Sequence, residues 1–215
     1  MSVNKNSRGL LVVNSLVTQG SQNWQWLYQF IEASGLTLAD TILAPHYGTY
    51  KKLSNAQATK TAFVSTIQAL GAVPSLQTID VILNLHGAPN ALYFVDGRMS
   101  LDSLRNTLAA LNLKHKLRLL YSTASYGRSH ADDFVAAGFT SANGAIGVNA
   151  NSATEYPSVL TLWAAGIQFK DAIAAGENIV TRAPADATAK LMGFHEANSD
   201  KVIYGDSTIT INSNR

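Results

Sequence analysis

The amino-acid sequence predicts an α/β fold with a mostly parallel central sheet and helices on both faces. Three observations predict it. Strand-like runs alternate with amphipathic helical segments from one end of the chain to the other. The strand runs are almost continuously apolar, as strands covered on both faces are. The 215 residues are also 47% hydrophobic and only 14% charged, where an ordinary domain carries about a quarter charged residues. Such a chain can bury a large core, and it draws its polar surface from Ser, Thr, Asn, Gln and Gly. Its length suits a single domain, 1–215, with a core at about 9–180 and a C-terminal strand or hairpin at about 200–213.

The elements follow in order. "GLLVVNS" (9–15) reads as a buried strand. "NWQWLYQFIEASG" (23–35) reads as a helix, with Trp24, Leu27, Tyr28 and Ile31 at helical spacing and Gly35 as its C-cap. "ADTILAP" (39–45) is a short strand closed by proline, and "SNAQATKTAFVSTIQALG" (54–71) a helix capped by Ser54 and stopped by Gly71. "TIDVILNLHG" (78–87) is the strongest buried-strand signal in the chain. A hairpin turning at Asp96-Gly97 fits 88–100. Ser100 then caps a helix over 101–112 whose leucines share one face. A strand at 116–123, a helix at 129–138, a strand at 144–151 and a long helix at 156–176 with Pro157 in its first turn complete the alternation. The alternating tail at 200–213 reads as an edge strand or hairpin.

Composition excludes several function classes. The formal charge is +2 and the basic residues are scattered, so no phosphate-binding stripe exists and nucleic acid is not expected as a partner. The longest apolar runs span fewer than ten residues, too short for a membrane helix, and the N-terminal run reads as a first strand rather than a signal peptide. The expectation is a cytoplasmic protein with no membrane partner. Cysteine is absent, which removes disulfides and thiolate metal sites. The five histidines show no zinc-site spacing, and no oxygen-rich loop argues for calcium, so neither metal nor cofactor is expected.

Two strand-like runs each end in a reactive residue. "IDVILNLHGAPN" ends in His86-Gly87, and "LRLLYSTASYGRSH" delivers Ser125 where the chain turns. Ligands of open α/β sheets bind beyond the strand C-termini, and adjacent parallel strands would bring these two ends within side-chain reach. A histidine can take a proton from a hydroxyl or thiol placed to attack a carbonyl, and outward-pointing N–H groups can hold the oxyanion. Gly87 allows a sharp turn and close approach by substrate. Thr123 and Ala124 permit a tight exit from the strand, and Tyr126-Gly127 leads into a helix.

The pattern of hydrophobic strand–His-Gly, helix, hydrophobic strand–small–Ala–nucleophile–small–Gly resembles that of the caspase-like cysteine peptidases (clan CD). The spacing of 39 from His86 to Ser125 suits that family. "GAIGVNANSATEYPS" resembles its next core strand and pocket-shaping loop, and "VLTLWAAGIQFKDAIAAG" resembles the helix that follows. The resemblance covers about residues 9–180 in order of elements. It implies a caspase-like three-layer sandwich and an endopeptidase acting on protein or peptide substrates through a His-Cys dyad. His86 would be the general base and acid, position 125 would hold the nucleophile, and the backbone N–H of Gly87, with that of residue 125, would form the oxyanion hole. Asn149, Ser152, Thr154 and Glu155 would line the specificity pocket, and Glu155 with Asp96 would favour a basic residue there.

The chain departs from the pattern at the nucleophile. Position 125 is Ser, where the family has a thiolate that is intrinsically far more nucleophilic. The expectation is an inactive Cys-to-Ser form, engineered or natural. Two alternatives stay open. One is a serine hydrolase of α/β-hydrolase type, in which "TASYG" is a degenerate nucleophile elbow and Asp171 or Asp186 with His195 completes the triad. The other is a catalytically dead caspase-fold module that binds peptides.

Overall fold

The computed structural model describes residues 2–214. Its centre is a twisted sheet in the order β2-β1-β3-β6-β7-β8. The strands are β1 (Arg8–Ser15), β2 (Thr49–Ser54), β3 (Thr78–Ala88), β6 (Leu117–Ser122), β7 (Ser141–Ala145) and β8 (Lys201–Gly205), and β4 (Ala91–Phe94) and β5 (Gly97–Ser100) form a hairpin on the end of β3. Every pairing from β2 to β7 is parallel, and β8 closes the edge antiparallel. The helices are α1 (Gln25–Leu38), α2 (Lys60–Gly71), α3 (Leu101–Ala110), α4 (Arg128–Ala136), α5 (Ser152–Ala164), α6 (Phe169–Gly176) and α7 (Ile179–Leu191).

The near-continuous apolar strands are what a sheet covered on both faces requires. Leu11 and Val13 of β1 and Val81 and Leu83 of β3 face one side, where Phe63 of α2, Leu104 of α3 and Phe134 of α4 close a core. Leu10, Val12 and Ile82 face the other, under Val159 and Trp163 of α5 and Phe169 of α6. The result is the three-layer α/β sandwich that the alternation predicts. Among the described residues no helix is long and apolar enough to cross a membrane.

Several local expectations change. The helix at 23–35 does not stop at Gly35 but runs on through a π turn at Ala39–Leu43 and a 3-10 turn at Ala44–His46, so 39–45 is helical and not a strand. Gly35 serves packing instead: a Cβ there would lie 2.8 Å from the Asn84 side-chain nitrogen. The second strand is Thr49–Ser54, a lysine-bearing edge whose exposure hid its strand character. Ser54 therefore ends a strand, and Thr59 caps α2 by accepting the Ala62 N–H at 3.1 Å. The strand expected at 144–151 lies at Ser141–Ala145. The long helix at 156–176 is two helices broken at Gly166, whose φ of +84° lies in the left-handed region. Helix α7 lies in a segment where the sequence pattern suggested no element.

At the end of the sheet where β3 begins, Asp80 and Arg118 form a buried ion pair with no side-chain exposure, Nη2 to Oδ2 at 2.6 Å and Nε to Oδ1 at 2.9 Å. The Tyr47 hydroxyl donates to Asp80 Oδ2 at 2.5 Å, and Arg118 Nη1 donates to the Ile211 and Ser213 carbonyls at 2.6 and 2.7 Å. This network clamps the C-terminal segment to the central strands and leaves the opposite sheet end for the site.

Candidate active site

Strands β3 and β6 are adjacent, with Leu83 opposite Ser122. His86 and Ser125 each lie three residues further along, so the parallel register delivers both to the same sheet edge. They open into one cleft of about 580 Å³, bounded by the β-strand ends, by α1 and by α7.

Two contacts hold the His86 ring. Its Nε2 lies 2.7 Å from the Leu16 carbonyl. A carbonyl only accepts, so Nε2 carries the proton and, in the neutral ring, Nδ1 is the basic nitrogen. The Tyr28 ring meets the imidazole edge-on, with centroids 4.7 Å apart. Burial pushes the His86 pKa down, against the opposing pull of the Leu16 bond and the Glu32 charge. The ring is thus biased toward the free base at neutral pH.

The Leu16 carbonyl is itself positioned. Glu32 of α1 is buried, and its Oε2 accepts the N–H of Leu16 at 2.7 Å and of Val17 at 3.0 Å. A polar chain runs beneath the cleft from there. The Glu32 carbonyl accepts from Asn14 at 2.6 Å, Asn14 accepts from Asn84 at 2.5 Å, and Asn84 accepts from the Thr123 hydroxyl at 2.7 Å. The Thr123 carbonyl then accepts from the Asn149 side chain at 2.9 Å. Together these bonds tie β1, β3 and β6 below His86 and Ser125, and they end at Asn149, whose buried side-chain oxygen has no hydrogen-bond partner.

Ser125 is half-buried, and its Oγ accepts the Asn149 N–H at 3.2 Å. The next residue, Tyr126, has φ +57°, a left-handed conformation that costs a non-glycine residue about 1–2 kcal/mol. The Tyr126 N–H bond to the Gly147 carbonyl at 2.8 Å and its hydroxyl contact with Glu196 hold it there. Strain of this kind sits at the turn from β6 into α4, directly after the Ser125 that lines the cleft.

Gly87 is needed for close approach. A Cβ on it would sit 2.1 Å from the Ser125 carbonyl oxygen and 2.9 Å from His130 Cε1. Gly87→Ala must therefore separate the two strand ends. We expect it to cost about 1–3 kcal/mol of stability, the usual range for overpacking, measured by urea unfolding. His130 is fully buried behind this point, with Nε2 2.8 Å from the Ala88 carbonyl and Nδ1 without a hydrogen-bond partner.

No protein-family model matches the sequence, and no curated protein matches it. Solved structures do match. The Drosophila initiator caspase Dronc aligns with a TM-score of 0.60 over 99% of this chain and 84% of its own, at 12% identity. Caspase-1 from Spodoptera frugiperda aligns with a TM-score of 0.59 over 94% of this chain and 87% of its own, at 13% identity. The chain has the caspase fold.

On this caspase fold the residues singled out in the sequence divide. His86, Gly87, Ser125, Asn149 and Ser152 all line the cleft. Asp96, Thr154 and Glu155 do not. Asp96 sits in the β4–β5 turn, where it accepts the Lys60 N–H at 3.0 Å and caps α2. The Thr154 hydroxyl turns back to Asn151 at the start of α5. Glu155 is buried because α5 begins at Ser152, earlier than the periodicity suggests, and its first turn faces the sheet. Tyr121 donates to its Oε1 at 2.7 Å, and Lys201 Nζ lies 2.9 Å from its Oε2. The acids expected to select a basic side chain are therefore occupied elsewhere.

Glu177 lies beside this pair and accepts the Lys201 backbone N–H. Burial raises its pKa from the ordinary 4.5 to about 7, against the opposing pull of Lys201. A carboxyl whose pKa is raised on folding contributes stability that is full below the unfolded value and is lost as pH climbs through the folded one. The melting temperature is therefore expected to fall between pH 4.5 and about 7. Glu177→Gln should flatten that slope in thermal melts recorded across the window.

The sequence reading missed Leu16, Tyr28 and Glu32. A backbone carbonyl carries no sequence signal, and Glu32 flanks the apolar face of its helix, four residues after Tyr28, where an acid reads as the polar border of that face. Tyr28 was visible, but as a core residue.

Proposed function

We infer that the chain is a caspase-like endopeptidase scaffold in which Ser125 occupies the nucleophile position that a cysteine would fill, leaving this form with little or no activity. The observation that carries this reading is the delivery of His86 and Ser125 by adjacent parallel strands to one cleft, with the imidazole anchored on the Leu16 carbonyl.

In the reaction a cysteine at 125 would perform, His86 Nδ1 takes the thiol proton and the sulfur attacks the peptide carbonyl carbon. The carbonyl oxygen takes up negative charge, stabilised by the N–H groups of Gly87 and residue 125. The C–N bond then breaks, and His86 returns the proton to the leaving amine. Water hydrolyses the thioester and regenerates the thiol. Two features support a weak hydroxyl here. An alkoxide is far less accessible than a thiolate at neutral pH, and among the described residues no carboxylate is hydrogen-bonded to the His86 ring to strengthen it as a base.

The α/β-hydrolase alternative has no geometric support. His195 is exposed, and neither it nor Asp171 or Asp186 lines the cleft. Asp186 is bound to the Ser199 N–H and hydroxyl, the latter at 2.6 Å. The deciding experiment is Ser125→Cys assayed against a peptide library, with His86→Ala in the same background as its control. An inert Ser125→Cys protein would leave the peptide-binding module as the better reading.

A further inference from the structure

Helix α1 turns its fully buried positions to polar groups of the sheet. The residues it buries are Glu32 and Gly35, which meet the polar Asn14–Asn84 pair of the sheet. Its apolar residues Leu27, Tyr28 and Ile31 face the cleft and are only partly covered. Trp26 and Phe30 on the same helix are 64% and 62% exposed. The opposite wall is α7 with its C-cap, presenting Ala185, Ala189 and the C-cap Met192, which is 49% exposed. Trp24 and Phe194, with ring centroids 5.8 Å apart, join the two walls at one end.

Among the described residues, none that line this cleft is Asp, Glu, Lys or Arg. Two acids behind its lining are already engaged: Glu32 Oε2 accepts from the Leu16 and Val17 N–H groups, and Glu196 is bound to the Tyr126 hydroxyl. A charged side chain entering here would lose hydration with no counter-ion to replace it, which is strongly unfavourable. An apolar side chain would cover surface that α1 and α7 leave exposed, and that burial is favourable in proportion to its area.

We propose that the cleft selects peptides with an uncharged, apolar side chain, aliphatic or aromatic, beside the bond presented to position 125, and that Trp26 is a specificity-determining residue at its mouth. The proposal rests on the reading of the cleft as a peptide site but not on its chemistry. The acyl-transfer step could fail while the preference held.

Binding tests it without turnover. Trp24 and Trp26 line the cleft, so their fluorescence reports occupancy. The protein with Ser125 intact is titrated with capped peptide amides that are identical except for one residue: Leu, Phe, Arg or Asp. The Leu and Phe peptides are expected to bind at least about tenfold more tightly than the Arg and Asp peptides, the discrimination that one well-filled apolar pocket provides. Trp26→Ala, at an exposed position that should not disturb folding, is expected to reduce that difference severalfold, read by competition against a dye-labelled Leu peptide. Equal binding of all four peptides, tighter binding of a charged one, or no saturable binding would overturn the proposal. If Ser125→Cys cleaves after Arg or Asp, the preference is wrong and the peptidase reading stands. If apolar peptides bind selectively and Ser125→Cys is inert, the reverse holds.

Discussion

Ser125→Cys is expected to raise peptide hydrolysis by about 10³-fold or more, which corresponds to about 4 kcal/mol of barrier. The substitution is conservative in volume, and the surroundings of position 125 already suit a thiol. The Asn149 N–H contacts the side chain at 3.2 Å. Ser125 lines the same cleft as His86. The neighbouring imidazole keeps one nitrogen free to accept a proton. What the hydroxyl lacks is acidity, and sulfur supplies it. His86→Ala in the Cys background is expected to lower the rate by about 10²–10⁴-fold, the usual contribution of a positioned general base. The acid limb of the pH–rate profile should lie below 6.5, the ordinary histidine value, because burial lowers the His86 pKa and the ring must be neutral to accept the proton. An acid limb displaced above 6.5, or a rate insensitive to His86→Ala, would count against His86 as the base.

The second large effect is on stability. Asp80→Ala is expected to cost about 3–5 kcal/mol, because it leaves the Arg118 guanidinium buried without its carboxylate. Arg118 would keep its bonds to the Ile211 and Ser213 carbonyls, but these do not neutralise a charge. Arg118→Met alone should be costly for the mirror-image reason. The double change Asp80→Ala with Arg118→Met should cost clearly less than the two single changes summed, since no buried charge then remains unpaired. The exposed pair Lys52–Asp40, at 2.7 Å, is the natural control. Breaking it should cost no more than about 1 kcal/mol, because water solvates both partners. Chemical unfolding of the four variants, read through the change in midpoint, separates these outcomes. A double variant as unstable as the sum of the singles would show that Asp80 and Arg118 act independently.

The sandwich was legible in the chain because burial on both faces writes itself into continuous apolar strands. β1, β3 and β6 fall where those runs predict. The meeting of His86 and Ser125 was legible for a related reason, since parallel strands with one helix between them have their C-terminal ends on the same side. Errors arose where local pattern and tertiary role part. β2 is an exposed edge, so it lacks the apolar signature. Gly35 looked like a helix stop and is a close contact between α1 and the sheet. Glu155 looked like a pocket acid, and its pairing with Lys201 depends on a residue far along the chain.

The sequence by itself determined the layers, the place of most strands along the chain and the two residues at the sheet edge, because periodicity and chain connectivity are local properties. Only the tertiary structure decided that the Leu16 carbonyl anchors the histidine, that the apolar stripe of α1 faces a cleft, and that α7 forms the opposite wall. Those facts depend on which surfaces meet, and no spacing along the chain encodes a contact between segments brought together only by folding.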